Sequence, residues 1–134
     1  MTAFVLDAST VLAWLLRDER AAEADALIEC VNRDGAAAPQ LMALEVPSGL
    51  RNRIRRGLLT IADRDLLLED FAKLSIAWDV QVDPAGLARL SDRHDLTIYD
   101  ATYLALAIRL GLPLATLDRR LATAARDAGL STSP

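Results

Sequence analysis

Short apolar segments alternate with helix-length stretches along this sequence, and that alternation restricts the fold more than any other feature. The apolar segments begin at Ala3, Ala36, Trp78 and Pro113. Strands that alternate with helices form parallel sheets covered by helices on both faces. We therefore predict an α/β fold with a mainly parallel sheet. The length of 134 residues suits one domain, which we place at residues 1–130, followed by a flexible tail at residues 131–134.

Periodicity and turn residues give the expected elements in more detail. Helices are predicted over residues 11–16, 19–31, 41–56, 61–76, 84–93, 98–110 and 118–128, and strands over residues 3–6, 36–38, 78–82 and 113–116. Ser9 or Thr10 is expected to cap the first helix and Thr60 the fourth. Asp83, followed by Pro84, is expected to start the fifth.

Pro47 leaves the position of Glu45 open. A proline inside a helix removes a backbone hydrogen bond and bends the chain. Either the third helix starts near Leu41 and is disturbed at Pro47, or Glu45 belongs to a preceding turn and Pro47 starts a new segment. The sequence favours neither arrangement.

Four acidic residues stand where an apolar segment or a helix begins or ends: Asp7, Glu45, Asp100 and Asp118. Two unit charges about 4 Å apart repel by ~4 kcal/mol at an effective dielectric of 20, and a divalent cation turns that repulsion into binding energy. Asp7 and Asp118 each follow a predicted strand, so they converge if those strands are neighbours. We interpret the four acids as a magnesium-dependent site that cleaves phosphodiester bonds.

A plainer explanation exists for three of these acids. Asp7, Asp100 and Asp118 are each equally well explained as capping or first-turn residues, because carboxylates favour helix N-termini. Glu45 lies among Leu41, Met42, Leu44 and Val46, where an unpaired charge is costly to bury. The combination of all four therefore favours a site over four separate caps.

The overall composition excludes several classes of protein. The net charge of −4 argues against a protein that coats nucleic acid by bulk electrostatics, although not against a nuclease with local phosphate contacts. No apolar run approaches the ~20 residues that a membrane span needs. The N-terminus lacks the pattern of a secretion signal, and a single cysteine, Cys30, forms no internal disulfide. We expect a cytoplasmic protein.

Four sequence segments together resemble the PIN-domain ribonucleases, specifically the VapC toxins of bacterial toxin–antitoxin pairs. Val5 to Ser9 resembles the first motif of that family, and Pro39 to Glu45 with the following Leu50-Arg51 resembles the second. Tyr99 to Ala107 is similar to the third, and Pro113 to Leu121 to the fourth. The segments follow the order and approximate spacing of the family and cover nearly the whole chain.

The resemblance implies a three-layer α/β/α domain with a mainly parallel sheet. It implies that Asp7, Glu45, Asp100 and Asp118 hold Mg²⁺ or Mn²⁺, with Ser9 and Thr116 as accessory hydroxyls at the site. It also implies that RNA is cleaved by a metal-activated water, that a cognate antitoxin inhibits the protein, and that the chain forms a homodimer. Pro47 is a departure from the family pattern.

Several other residues allow two interpretations. Arg51, Arg53, Arg55 and Arg56 are either a solvated helix end or a rim that steers phosphate or docks an acidic antitoxin segment. Arg119 is the arginine most expected near a substrate phosphate. Leu12, Trp14, Leu15 and Leu16 are interpreted as core, with a groove for an antitoxin helix as the alternative. Tyr99 and Tyr103 are interpreted as packing or dimer contacts.

Two other functions compete with the nuclease. A metal-dependent phosphatase also places aspartates at strand ends, but Asp7-Ala8-Ser9 lacks the second aspartate that an aspartyl-phosphate enzyme uses. A non-catalytic binding module of the same fold would have no reason to concentrate four repulsive charges. We keep both as alternatives to the ribonuclease.

Overall fold

A computed structural model describes residues 3–132 and shows four strands and seven helices in this range. The strands are β1 (Val5–Leu6), β2 (Ala36–Pro39), β3 (Ile76–Asp79) and β4 (Leu114–Ala115). The helices are α1 (Ala8–Leu16), α2 (Ala21–Asp34), α3 (Met42–Arg55), α4 (Ile61–Ala72), α5 (Pro84–His94), α6 (Ile98–Leu110) and α7 (Arg119–Asp127). The predicted α/β fold is confirmed.

The four strands form one parallel sheet in the order β3-β2-β1-β4. Val5 in β1 is paired with Ala37 in β2 and with Leu114 in β4. The strands β1 and β4, after which Asp7 and Asp118 follow, are therefore neighbours, as the convergence of these acids requires. Since ligands bind beyond the carboxyl ends of parallel strands, the topology directs both acids to one edge of the sheet.

The core lies around the short inner strands. Every residue of β1, β2 and β4 is buried, and α6 packs against all three of these strands. The most buried α6 side chains include Tyr103, Leu104 and Ala107. Because α6 packs on the sheet along its length, the position of its first turn, which carries Asp100, is fixed relative to the strand ends.

The second helix spans Ala21–Asp34 instead of residues 19–31, so residues 32–34 are helical and not a turn. Two further predicted boundaries are wrong for the same physical reason, which is tertiary contact. The fourth helix ends at Ala72 instead of residue 76, and Ile76 starts β3, which was predicted over residues 78–82. Each residue of β3 pairs with one of β2, from Ala36 with Ile76 to Pro39 with Asp79. Pairing with β2 therefore decides where the strand lies, and the alternating residues after Asp79 stay outside the sheet.

Helix caps also differ from the expectation at two places. The first helix begins at Ala8, and its cap is Asp7 rather than Ser9 or Thr10. Asp83 precedes α5 as predicted but makes no side-chain capping hydrogen bond. Thr60 caps α4 as expected, by accepting a hydrogen bond from the backbone N–H of Asp63.

The structure decides between the two arrangements left open at Pro47. Pro47 lies inside α3, which is continuous from Met42 to Arg55, and Glu45 lies in its first turn. A proline at position 47 leaves the carbonyl of Ala43 without its helical partner. Ala43 is exposed, so water is within reach of this carbonyl, and the helix tolerates the proline.

None of the helices within residues 3–132 has the length and apolarity needed to cross a membrane. The predicted tail falls partly outside the described residues, which exclude residues 133 and 134. Its first residue, Ser131, accepts a hydrogen bond at its carbonyl from the backbone N–H of Leu114 in β4 (2.9 Å).

Candidate active site

The four predicted acids line one cleft, of about 590 Å³, at the carboxyl edge of the sheet. Asp7 caps α1 and Asp118 caps α7, whereas Glu45 and Asp100 lie in the first turns of α3 and α6. Four separate elements thus deliver one carboxylate each. The other residues that line the cleft are Ala8, Ser9, Leu12, Leu41, Leu44, Ser48, Gly49, Asn52, Tyr99 and Tyr103.

Asp7 is the most buried of the four acids, with 4% of its surface exposed. Its carboxylate accepts hydrogen bonds from the Ser9 hydroxyl (2.8 and 2.9 Å) and from the N–H and hydroxyl of Thr10 (both 3.2 Å). Thr116 donates a further one from its hydroxyl (2.5 Å). Burial nevertheless dominates and raises the pKa of Asp7 from 3.8 to about 6.

Ser9 and Thr116 connect this carboxylate to the segment before α7. The Ser9 hydroxyl also accepts from the backbone N–H of Leu117 (3.3 Å), and the Thr116 hydroxyl accepts from the N–H of Asp118 (3.0 Å). Arg20 holds the same segment from outside, by donating to the Leu117 carbonyl (3.2 Å). The Ser9 and Thr116 hydroxyls, which were predicted as accessory residues, therefore hold the segment that carries Asp7 next to the segment that carries Asp118.

Glu45 is held by a single side chain that the sequence did not identify as part of the site. The buried hydroxyl of Tyr103 donates to Glu45 Oε1 (2.5 Å). Burial raises the pKa of Tyr103, and the Glu45 carboxylate raises it further, so the phenol keeps its proton. Tyr103 follows Asp100 by three residues on α6 and so lies near it, which is the one sequence signal that pointed to it.

The charges of Asp100 and Asp118 oppose each other. The pKa of Asp100 is raised by burial first and by the charge of Asp118 second, and a hydrogen bond with Thr97 and the charge of Arg120 partly offset this. The pKa of Glu45 is raised by burial and, to a smaller extent, by the charge of Asp100. Asp100 therefore feels two other carboxylates, and the acids of the cleft destabilise one another where no cation lies between them.

The carboxylate oxygens in the cleft are ligands of the type that a hard divalent cation prefers. All four acids offer oxygen, which Mg²⁺ prefers, and Mg²⁺ needs only one or two carboxylates because it keeps several waters. Within residues 3–132, however, no three acidic, histidine or cysteine side chains are arranged to ligate one ion together. The structure thus brings the acids into one cleft without forming a closed cage.

Two arginines adjoin the acids at the start of α7. Arg119, predicted as a phosphate contact, is exposed and lines a shallow groove beside the cleft together with His94 and Arg120. Arg120, which the sequence did not single out, is the arginine whose charge acts on Asp100. The sequence signal for Arg120 was its position, because Arg119 and Arg120 are the first two residues of α7, directly after Asp118.

The profile of the PIN domain family matches residues 4–127. Ribonuclease VapC3 of Pyrobaculum aerophilum is 34% identical over 122 residues, which cover 88% of this chain and 91% of that protein. Ribonuclease VapC9 of Mycobacterium tuberculosis is 34% identical over 119 residues, 87% of each chain. The crystal structure of PAE2754 from Pyrobaculum aerophilum is similar, with a TM-score of 0.73, 25% identity and coverage of 92% of this chain and 84% of that one. This chain belongs to the PIN domain family, and its relatives include proteins named VapC ribonucleases.

Proposed function

We propose that this protein is a magnesium-dependent endoribonuclease and the toxin component of a toxin–antitoxin pair. The observation that carries the proposal is that four carboxylates from four separate elements line one cleft, in a chain whose relatives are named ribonucleases. A cluster of like charges is costly for a fold unless a cation and an anionic substrate meet there.

Asp7, Glu45, Asp100 and Asp118 are the residues that would hold Mg²⁺ or Mn²⁺. A bound divalent ion supplies a water of lowered pKa and neutralises charge on the phosphate. Ser9 and Thr116 keep the Asp7 carboxylate oriented, and Tyr103 does the same for Glu45. Arg119 is proposed to contact a phosphate of the RNA at the exposed edge of the site.

The decisive experiment incubates the purified protein with structured and single-stranded RNA, with Mg²⁺ or with EDTA. We expect internal cleavage with Mg²⁺ or Mn²⁺ and none with EDTA, and no cleavage by the Asp100→Asn variant in either. Release of phosphate from small phosphate esters would instead indicate the phosphatase. Tight partner binding without any hydrolysis would indicate a non-catalytic module.

We also propose that the chain forms a homodimer through a face next to the cleft. Val80, Val82, Ile98 and Tyr99 are exposed, by 46 to 69%, and surround a groove between β3 and the helices α5 and α6. Tyr99 lines both this groove and the cleft. Contiguous exposed apolar surface of this kind marks an interaction site.

A second apolar surface supports the proposal of an antitoxin partner. The helix α4 has no buried residue, and Leu58, Ile61 and Leu66 on and before it are about 60% exposed. An amphipathic antitoxin segment could cover them. We propose that the protein acts in the cytoplasm, where RNA and such a partner are both present.

The two surfaces provide controls for each other. Val82→Asp should convert a dimer to a monomer in light scattering while leaving antitoxin binding unchanged. Leu66→Asp should abolish antitoxin binding while leaving the dimer intact. If both variants behave like the wild-type protein in both measurements, neither surface is an interface.

A further inference from the structure

The face of α3 that carries Glu45 extends beyond the acids. Glu45, Ser48, Gly49 and Asn52 all line the cleft, and their spacing of three or four residues places them on one side of the helix. Residues buried in the core, such as Val46 and Leu50, lie about 110° and about 150° around the helix from the centre of this side. The cleft therefore continues along α3 for two turns after Glu45.

The next positions on that face are occupied by arginines. Arg55 and Arg56 follow Asn52 by three and four residues, so they are its neighbours on the helix surface. Around the helix, Arg56 lies about 30° and Arg55 about 70° from the centre of this face. Arg53 lies about a quarter turn away, towards the buried side, and Arg51 about a third of a turn away. Helical register thus places Arg56 and Arg55 closer to the face than the other two arginines.

Charge is strongly one-sided in this region, in contrast to the rest of the chain. The protein has a net charge of −4, yet positions 46 to 62 contain no aspartate or glutamate. Among the described residues, neither Arg55 nor Arg56 forms an ion pair with an acid. Both are exposed, as is Asn52. Two uncompensated cations therefore lie at the end of a polar path that starts at an acidic cleft.

We propose that Ser48, Asn52, Arg55 and Arg56, here called the α3 track, bind single-stranded RNA on one side of the cleavage point. This inference rests on the proposed ribonuclease function. The arginines contact backbone phosphates, which positions the strand without reading its sequence. Ser48 and Asn52 hydrogen-bond to sugar or base. The helix rises about 15 Å from Glu45 to Arg55, so Arg55 contacts a phosphate several nucleotides from the cleaved bond.

RNA suits the α3 track better than an acidic protein segment does. The track is continuous with the cleft in which the acids lie, and a strand held in that cleft passes along it. An acidic protein segment would also gain the two arginines, but nothing would require it to continue into the cleft. Antitoxin binding at the track is therefore the alternative that the experiment must separate.

The test compares two double variants that remove the same charge. Arg55→Gln/Arg56→Gln alters the α3 track, whereas Arg89→Gln/Arg93→Gln removes two exposed arginines of α5, neither of them ion-paired among the described residues. Binding of a labelled single-stranded RNA of about 16 nucleotides is measured in EDTA over a range of salt concentrations. EDTA prevents the proposed cleavage, so binding is measured on its own.

We expect the track variant to lower the salt slope by roughly 0.7 for each lost phosphate contact. This corresponds to roughly fivefold weaker binding per contact at 0.1 M salt, relative to 1 M. The control variant should keep the wild-type slope. With Mg²⁺, the track variant should cleave long RNA less efficiently than wild type, and the deficit should disappear for RNA too short to reach Arg55.

Equal RNA affinity and salt slope of the two double variants would overturn the α3 track. So would a track variant that binds RNA normally but loses the antitoxin. Absence of Mg²⁺-dependent cleavage in the wild-type protein, with the expected difference in RNA binding intact, would refute the proposed function but not the track.

Discussion

Asp7 and Glu45 line the same cleft but are held in opposite ways. Asp7 is buried and accepts hydrogen bonds from three side chains and one backbone N–H, mostly from residues next to it in sequence. Glu45 is half-buried and accepts one side-chain hydrogen bond, from Tyr103, 58 positions away. One carboxylate is fixed by a local network and the other by a single distant contact.

The difference predicts how each carboxylate responds when a hydrogen-bond donor next to it is removed. A hydrogen bond to a charged group contributes about 1.5 to 3 kcal/mol. Asp7 accepts several such bonds, so the others continue to hold it when one donor is removed. Glu45 has no second side-chain donor among the described residues, so removal of the Tyr103 hydroxyl frees it entirely. We therefore expect the loss of one donor to have a small effect on the orientation of the Asp7 carboxylate and a large effect on that of Glu45.

The largest effect is expected from removing the charge of Asp7 itself. Asp7→Asn keeps one acceptor oxygen, for Ser9 and Thr10, but removes the charge proposed to bind the metal, so transition-state stabilisation should fall by several kcal/mol, or about 1000-fold in rate. Cleavage rates with Mg²⁺ at saturating RNA measure it, with circular dichroism to verify the fold. Full activity in this variant would show that the site assignment is wrong.

A second effect concerns stability and pH. The folded-state pKa of Asp7 is raised from 3.8 to about 6, so the folded protein binds the proton more tightly than the unfolded chain does. The stability that this provides is complete below pH 4 and is lost as pH rises to about 7, by about 3 kcal/mol. Urea unfolding in EDTA from pH 4 to 8 measures it for wild type and Asp7→Asn.

Subtracting the two stability curves isolates Asp7 from the other titrating groups. We expect the wild-type protein to lose stability relative to Asp7→Asn as pH rises through 6. Added Mg²⁺ should reduce the gap at pH 7.5, because a bound cation favours the charged carboxylate. Parallel curves over this range would contradict the burial of an ionisable Asp7.

Tyr103→Phe tests the single support of Glu45. Glu45 is proposed to bind the metal, and loss of a group that orients a metal ligand costs about 10- to 100-fold in metal affinity or activity. The phenyl ring preserves the packing. The measurement is the Mg²⁺ concentration at half-maximal cleavage, which a purely structural role would leave unchanged. Leu104→Met, a buried neighbour on α6, is the control for packing changes.

Thr116→Val tests the network around Asp7 with a smaller expected effect. Valine removes the hydroxyl that donates to Asp7 and accepts from the N–H of Asp118, while Ser9 and Thr10 continue to donate. We expect a loss of about 1 kcal/mol in the free energy of unfolding and a smaller loss of activity than in Tyr103→Phe. Thr116→Ser, which keeps the hydroxyl, should behave like wild type. The reverse order of the two activity losses would refute the contrast between Asp7 and Glu45.

The smallest effect is expected at Arg119, which belongs to neither network. Its side chain is exposed, so Arg119→Gln should weaken RNA binding roughly fivefold at 0.1 M salt and lower the salt slope by about 0.7. Binding in EDTA at several salt concentrations measures both quantities. An unchanged salt slope would show that Arg119 does not contact phosphate.

The sequence predicted local features better than long-range ones. The helix over residues 98–110 matches the structure residue for residue, because a capping threonine and a terminal glycine both lie next to the helix in sequence. The strand β3 was placed two residues too late, because its position depends on pairing with β2. Tyr103 was interpreted as a packing or dimer contact, because its spacing from Asp100 is the only nearby signal and does not indicate the contact with Glu45.

The α/β class, and four acids that line one cleft, were predictable from the sequence, because strand ends and helix starts carry local sequence signals. Which side chains hold those acids, and how deeply each is buried, became visible only in the folded protein. The continuity of α3 through Pro47 also became visible only there. Burial and contacts between distant segments depend on how the helices pack on the sheet, and packing is a property of the whole chain that no local pattern contains.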